Sequence, residues 1–242
     1  LKEFQSLLNA ENSDIYDVAS LTKIMATLPN VMVQYDHQKI NLETTLGTML
    51  PMFKNSNRAT INFKDLLSHY AGLAAGIPFY KATMDKSSFP SEVYFRKISE
   101  EQLCDTIMKM IVKSKIALKK EYKYSDLTFM ILKDYLEKTT SKTLDVLIQE
   151  NFYRSLGMNN SSFNPLEKFD KNRIPPTEND TYFRRQLLQG YVNDLSAALE
   201  GGVSGHAGVF SNAMDVAKIV QLYLQKGKYG DQQYFSEKTF DD

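Results

Sequence analysis

Ser20 and Lys23, in the run Val18-Ala19-Ser20-Leu21-Thr22-Lys23, stand three positions apart where a helical pattern begins. A helix would set them on one face, one turn from each other. A serine in a first helical turn sits where unpaired N–H groups and the positive end of the dipole favour negative charge. A partly desolvated lysine beside it could accept the serine proton, or hold a nearby tyrosinate. The same spacing also fits Ser20 as a helix cap and Lys23 as a surface lysine, and average usage gives about one such match by chance in a chain of this size. Tyr124-Ser125-Asp126 is the second candidate. A phenol there could relay a proton between Ser20 and a leaving group. A half-buried aromatic with its hydroxyl in water is the alternative. Tyr191-Val192-Asn193 and Tyr229-Gly230-Asp231 share the form, but only Tyr124 opens a helix whose apolar stripe can pack on another.

Two histidines need separate treatment. Gly205-His206-Ala207-Gly208 could line a serine site, yet only Val209-Phe210 intervene before the next helix cap. A site-lining strand needs several extended residues and a partner. The glycines fit a tight turn, which His206 would order through hydrogen bonds. His69, in Leu66-Leu67-Ser68-His69-Tyr70-Ala71-Gly72-Leu73, reads likewise as a hydrogen-bonding residue at a helix end.

The elements that must position these residues are mostly helical. Ser20 to Gln38 carries apolar residues at spacings of three and four. Pro29 has no N–H for the Met25 carbonyl, which predicts a kink or a break into two helices. Short helices are expected over Asn41–Leu50 and Phe63–His69, and a longer one over Ser99–Val112, with Ser99 and Gln102 as a capping box. The lysine-rich run Lys109–Lys123 reads as a solvated helix face. Tyr124–Thr139 is amphipathic, Ser141–Phe152 follows as a helix, and Asn212–Gln225 is the last clear one, capped by Asn212. Asn159–Asp194 reads as long loops, and Asp14–Val18 as the end of a strand.

Composition narrows the function classes. The chain has 242 residues, 43% hydrophobic and 24% charged, which suits a globular fold and not a disordered or collagen-like chain. Lys+Arg and Asp+Glu are both 29, so the formal charge is zero and nucleic acid is a poor default partner. No apolar run reaches the ~20 residues of a transmembrane helix, and the first residues do not read as a signal peptide. Cys104 is the single cysteine, and His37, His69 and His206 are far apart, so neither disulfide nor metal-ligand spacing is present. Nothing calls for a metal or an organic cofactor.

Taken together, Val18–Lys23, Phe63–Leu73 and Tyr124–Leu127 resemble, in order and distance, the class C β-lactamase, DD-peptidase and esterase family. Gly201–Ser211 is similar to a glycine-rich turn that precedes a helix in that family. The resemblance covers almost the whole chain and is closest to the β-lactamase-like modules that Bacteroides-type bacteria fuse to exported glycoside hydrolases. It implies an α/β (α+β) fold of the β-lactamase/transpeptidase type, with the serine between a helix-flanked sheet and a helical region. It implies that Ser20 is the acylated nucleophile, that Lys23 is its general-base partner, and that Tyr124 passes the proton to the leaving group. β-Lactams, peptidoglycan peptides or esters are the implied substrates, and the periplasm or cell envelope the implied location. The alternative is a non-catalytic accessory module of a larger exported glycosidase.

Two departures follow from the same comparison. The family's middle motif usually ends in Asn, and here Asp126 holds that substrate-binding position. An amide can donate a hydrogen bond to a substrate carbonyl, and a carboxylate cannot. The family's third motif, a His/Lys-x-Gly on an edge strand, would fall beyond Asp242, and only 19 residues precede Ser20. The expectation is therefore one β-lactamase-like domain over residues 1–242, lacking the leading strands and the third-motif strand.

Overall fold

The computed structural model describes residues 10–82, 100–117 and 121–242. Strand β1 (Tyr16–Asp17) runs through a 3-10 turn (Ala19–Leu21) and a π-helical turn (Lys23–Thr27) into helix α1 (Leu28–Asp36). Helices α2 (Leu46–Met49), α3 (Phe63–Leu67) and α4 (Glu100–Lys113) follow, then α5 (Asp126–Thr140) and α6 (Leu144–Ile148), which continues as a second π turn, Gln149–Tyr153. A hairpin of β2 (Glu178–Asp180) and β3 (Gln186–Leu188) interrupts the long loops, ahead of α7 (Leu195–Leu199), β4 (Phe210–Ser211) and α8 (Ala213–Leu224). The small hairpin of β5 (Lys228–Tyr229) and β6 (Gln232–Gln233) precedes α9 (Glu237–Asp241). Helices dominate, as the periodicity predicts.

The sheets are three antiparallel pairs among the described residues. β1 pairs with β4, Tyr16 opposite Ser211 and Asp17 opposite Phe210. The Val18 N–H donates to the Val209 carbonyl at 3.1 Å, and Phe210 exchanges two backbone bonds with Ser162 on its other side. No strand of several residues follows the glycine-rich turn, as expected, but Phe210–Ser211 form a two-residue strand. Two extended residues suffice because β1 on one side and Ser162 on the other both hydrogen-bond to this stretch.

α5 is the central helix. Leu127, Met130, Ile131, Leu132 and Leu136 are all buried, and Phe129 and Tyr135 nearly so. A helix apolar on nearly all sides belongs in the interior rather than on a surface stripe. It packs with Met25 and Ala26 of the first π turn, Phe63 and Leu66 of α3, and Leu144 and Ile148 of α6. A smaller core of Ile15, Ile174, Val192, Ala197, Ala207 and Phe210 lies under the β1/β4 pair. Each such side chain contributes roughly 1.5–3 kcal/mol when taken out of water.

Several element boundaries differ from expectation, each for a local reason. Of the two outcomes expected at Pro29 the break is the one seen, a π turn ending at Thr27 and α1 starting at Leu28 with Pro29 in its first turn. The Leu28 N–H reaches back to the Lys23 carbonyl, and the Asn30 amide donates to the Ala26 carbonyl at 2.8 Å. The Tyr223 hydroxyl donates to the Ile24 carbonyl at 2.6 Å, so side chains serve carbonyls of the turn just ahead of Pro29. The helix expected over Asn41–Leu50 shrinks to α2, and Pro51 opens a 3-10 turn instead of closing it. The helical part of the lysine run ends at Lys113. Ser99, expected as the α4 cap, lies outside the described residues. Asn62 caps α3 and Asn212 caps α8, each accepting a hydrogen bond from the N–H three residues on.

Candidate active site

The serine is presented by a turn that another side chain shapes. The Asp17 carboxylate accepts from the Ala19 N–H at 2.8 Å and from the Asn193 N–H at 2.7 Å. This folds the chain out of β1 and holds Ala19 at φ 47°, in the left-handed region. For a residue with a Cβ this conformation costs about 1–2 kcal/mol. Burial raises the Asp17 carboxyl above its ordinary range, against the two N–H donors that favour the anion. Ser20 follows immediately and is exposed.

Lys23 is buried behind it, 3% exposed. Its ammonium donates to Ser20 Oγ at 3.0 Å, to Asp126 Oδ1 at 2.7 Å and to the His206 carbonyl at 3.2 Å. Three N–H donors thus meet three acceptors, which satisfies the group fully. The same nitrogen stands 4.8 Å from the Tyr124 ring centre and 5.7 Å from that of Phe129, within cation–π range.

Tyr124 and Asp126 reach Lys23 because the chain is extended just before α5. Ser125, at φ −141° and ψ 125°, is the residue before the first helical one. Its hydroxyl donates to the Ala74 carbonyl at 2.6 Å, and the Asp126 N–H donates to the Ala75 carbonyl at 2.9 Å. Tyr124 therefore precedes the helix rather than opening it, and it keeps 42% of its surface exposed. Its ring leans on His69, centres 4.7 Å apart.

The glycine-rich turn closes the other side. The Thr27 hydroxyl donates to the Gly205 carbonyl at 2.7 Å, and Thr22 Oγ1 accepts from the Val209 N–H at 3.0 Å. A Cβ on Gly205 would lie 2.0 Å from the Phe129 carbonyl oxygen, so only glycine lets this turn press on α5. His206 orders the turn as expected. Its Nδ1 meets Ser204 Oγ at 2.8 Å and its Nε2 meets Asp194 Oδ1 at 2.9 Å. Behind it, Glu200 is buried near Lys133, at 3.7 Å. Burial raises the Glu200 carboxyl, with Lys133 opposing.

Ser20, Lys23, Tyr124 and Asp126 thus come together. The rival tyrosines do not: Tyr191 is exposed beside Val192 of the smaller core, and Tyr229 lies in the β5/β6 hairpin. Sequence reasoning missed Thr22, Thr27 and the His206 carbonyl as supports of the site. Thr22 and Thr27 sit in the amphipathic run with no spacing of their own, and a carbonyl is common to every residue. Among the described residues no group of three or more His, Cys, Asp or Glu could hold a metal ion. No described helix is long and apolar enough to cross a membrane. A cavity of about 200 Å³, lined in part by Gln149, Arg154, Phe163 and Asn164, includes none of the four site residues.

The family model for β-lactamase matches residues 10–239. A protein of Escherichia coli (strain K12), provisionally named a D-alanyl-D-alanine carboxypeptidase, is 31% identical over 252 residues, covering 96% of this chain and 56% of that protein. The N-acetylmuramyl-L-alanine amidase of Bacillus subtilis (strain 168) is 32% identical over 247 residues, covering 94% and 54%. The crystal structure of a β-lactamase/D-alanine carboxypeptidase from Pseudomonas syringae superposes with a TM-score of 0.69 at 15% identity, covering 98% of this chain and 58% of that one. That last likeness speaks for the fold alone. The chain spans about half the length of the curated relatives it matches. By the extent of the family match and the identity to these relatives, the chain belongs to the β-lactamase family.

Proposed function

We propose that the protein is a serine hydrolase that works through an acyl-enzyme on peptidoglycan peptides, β-lactams or related esters, in the cell envelope. The observation that carries this reading is the Lys23 ammonium, within 3.0 Å of Ser20 Oγ and 4.8 Å from the Tyr124 ring centre. In the first step Ser20 Oγ bonds to the substrate's carbonyl carbon and gives its proton to Lys23 in its neutral amine form, while a proton passes on through Tyr124 to the departing amine or alcohol, whose bond to that carbon breaks. In the second, water attacks the ester so formed and frees Ser20. Asp126 faces the substrate beside Lys23. The names of the Escherichia coli and Bacillus subtilis relatives favour a cell-wall peptide among these substrates. Treated with a fluorophosphonate or a labelled penicillin, the full-length protein is expected to carry the label on Ser20, and a Ser20→Ala variant none. Equal labelling of the two would sink the proposal.

A second reading has its own observation. All three Lys23 donors are taken, one by the Asp126 carboxylate, which suits a centre held at rest. On this reading the domain is a non-catalytic accessory module, fused in the manner of the β-lactamase-like modules joined to exported glycoside hydrolases. Turnover of nitrocefin or p-nitrophenyl acetate by the full-length protein, lost in Ser20→Ala, counts against it.

A further inference from the structure

His69 holds the residues on both sides of Tyr124. It lies just past α3 at φ 61°, a left-handed conformation in which histidine and asparagine are enriched. Its carbonyl accepts from the Lys123 N–H at 2.9 Å, and its Nδ1 accepts from the Ser125 N–H at 3.2 Å. Its ring is tilted 41° against Tyr124 and 43° against Phe129. The phenol between these two anchors has no hydrogen bond of its own among the described residues, so its place over Lys23 depends on how the flanking backbone is held.

On the reading that Ser20, Lys23 and Tyr124 form the reaction centre, we propose that His69 is a positioning residue whose neutral ring, with Nδ1 bare, seats Tyr124 over the Lys23 ammonium and releases it when Nδ1 takes a proton. A protonated Nδ1 is a donor and would face the Ser125 N–H, another donor. The ionisable groups around the ring come from three elements. They are Lys23 from the π turn, Asp126 from α5, and the Tyr122 and Tyr124 phenols from the segment before α5, with Tyr70 next in the chain. Burial and then Lys23 lower the His69 pKa from its ordinary 6.5, and Asp126 opposes them. The seat therefore stays set at neutral pH and opens in acid.

The test compares wild type, His69→Asn and His69→Gly in the full-length protein. Asparagine tolerates the left-handed backbone and offers an oxygen acceptor that does not titrate. With p-nitrophenyl acetate, wild-type kcat should fall about tenfold per pH unit below the His69 pKa. His69→Asn should restore most of the neutral plateau without that acid limb. His69→Gly should lose at least about tenfold in kcat at every pH, with KM little changed. An acid limb kept in His69→Asn, or full activity in His69→Gly, overturns the proposal. A second readout needs no turnover. Nitrogen-15 spectra should show a neutral ring protonated on Nε2, and the Tyr124 ring resonances should shift as His69 titrates. A proton on Nδ1 at neutral pH, or a Tyr124 signal indifferent to that titration, overturns it too. Failure of Ser20 to take a label counts against the hydrolase reading alone, because the spectra still decide on His69.

Discussion

Lys23 gathers acceptors from three distant parts of the chain, and Asp126 is the one whose chemistry departs from the family pattern. Its carboxylate holds the ammonium at 2.7 Å but has no proton to offer a substrate carbonyl. An amide at the same place could still accept from Lys23 while donating to substrate. Asp126→Asn is therefore expected to speed acylation by nitrocefin roughly two- to tenfold, given the ~0.5–1.5 kcal/mol of a neutral hydrogen bond. Stopped-flow acylation rates check this, and an unchanged or slower rate with Ser20 still reactive would refute it. At this scale the sequence was readable where chemistry is local. Ser20 and Lys23 are three positions apart, so periodicity alone brings them together. The Asp126 contact spans 103 positions and came into view only through the resemblance. The His206 carbonyl had no signal at all, because its side chain faces Ser204 and Asp194 while its backbone serves Lys23.

Among the elements, the π turn Lys23–Thr27 and the glycine-rich turn act as a matched pair. The π turn widens the helix ahead of Pro29 and leaves Thr22 and Thr27 facing the glycine turn. One residue fewer there would rotate Lys23 relative to α1 by about 100°. Pro29 announces a kink or a break in Ser20–Gln38, but nothing in the residue types announces that the part before it is a π turn. Gly205 is the contact point between the glycine turn and α5. Gly205→Ala would place a methyl on the Phe129 carbonyl, 2.0 Å away by ideal geometry. Neither backbone can yield easily, so a loss of about 1–3 kcal/mol is expected, read as a lower urea midpoint at constant slope. Labelling of Ser20 should fall with it, because the His206 carbonyl moves off Lys23. A midpoint equal to wild type would show that the turn has slack.

Across the whole molecule, the long segment before α7 is held by the short β2/β3 hairpin together with the Asp180–Arg184 ion pair. Asp180 and Arg184 tie the β2/β3 hairpin, and the guanidinium also donates to the carbonyls of Val192 and Asn193, which lead to Asp17. Burial alone would raise the Asp180 carboxyl, but the Arg184 bond and three backbone N–H donors outweigh it and hold it at about 2. A carboxyl lowered in the folded state stabilises the fold above its unfolded value near 3.9 and loses that contribution as pH falls toward about 2. Asp180→Asn should lower the melting temperature at pH 7 and bring it closer to wild type near pH 2. A constant gap across that range would refute the linkage. This region was the least legible in sequence, since Asn159–Asp194 has turn residues throughout and its order comes from side chains that meet only in the folded chain. The central helix α5 was the most legible as a helix, because its apolar residues recur at helical spacing, although its burial on nearly all sides was not read from that stripe.

The span of the contacts at Lys23 has a bearing on how the protein is made. A chain emerging from the ribosome presents Ser20 and Lys23 before the His206 carbonyl, 183 positions after Lys23, is synthesised. Closures of such length form late in folding. On the hydrolase reading proposed above, the nascent polypeptide would then carry an ordinary alcohol, unable to trap acyl donors met before assembly is finished, and reactivity at that alcohol becomes a chemical clock for maturation.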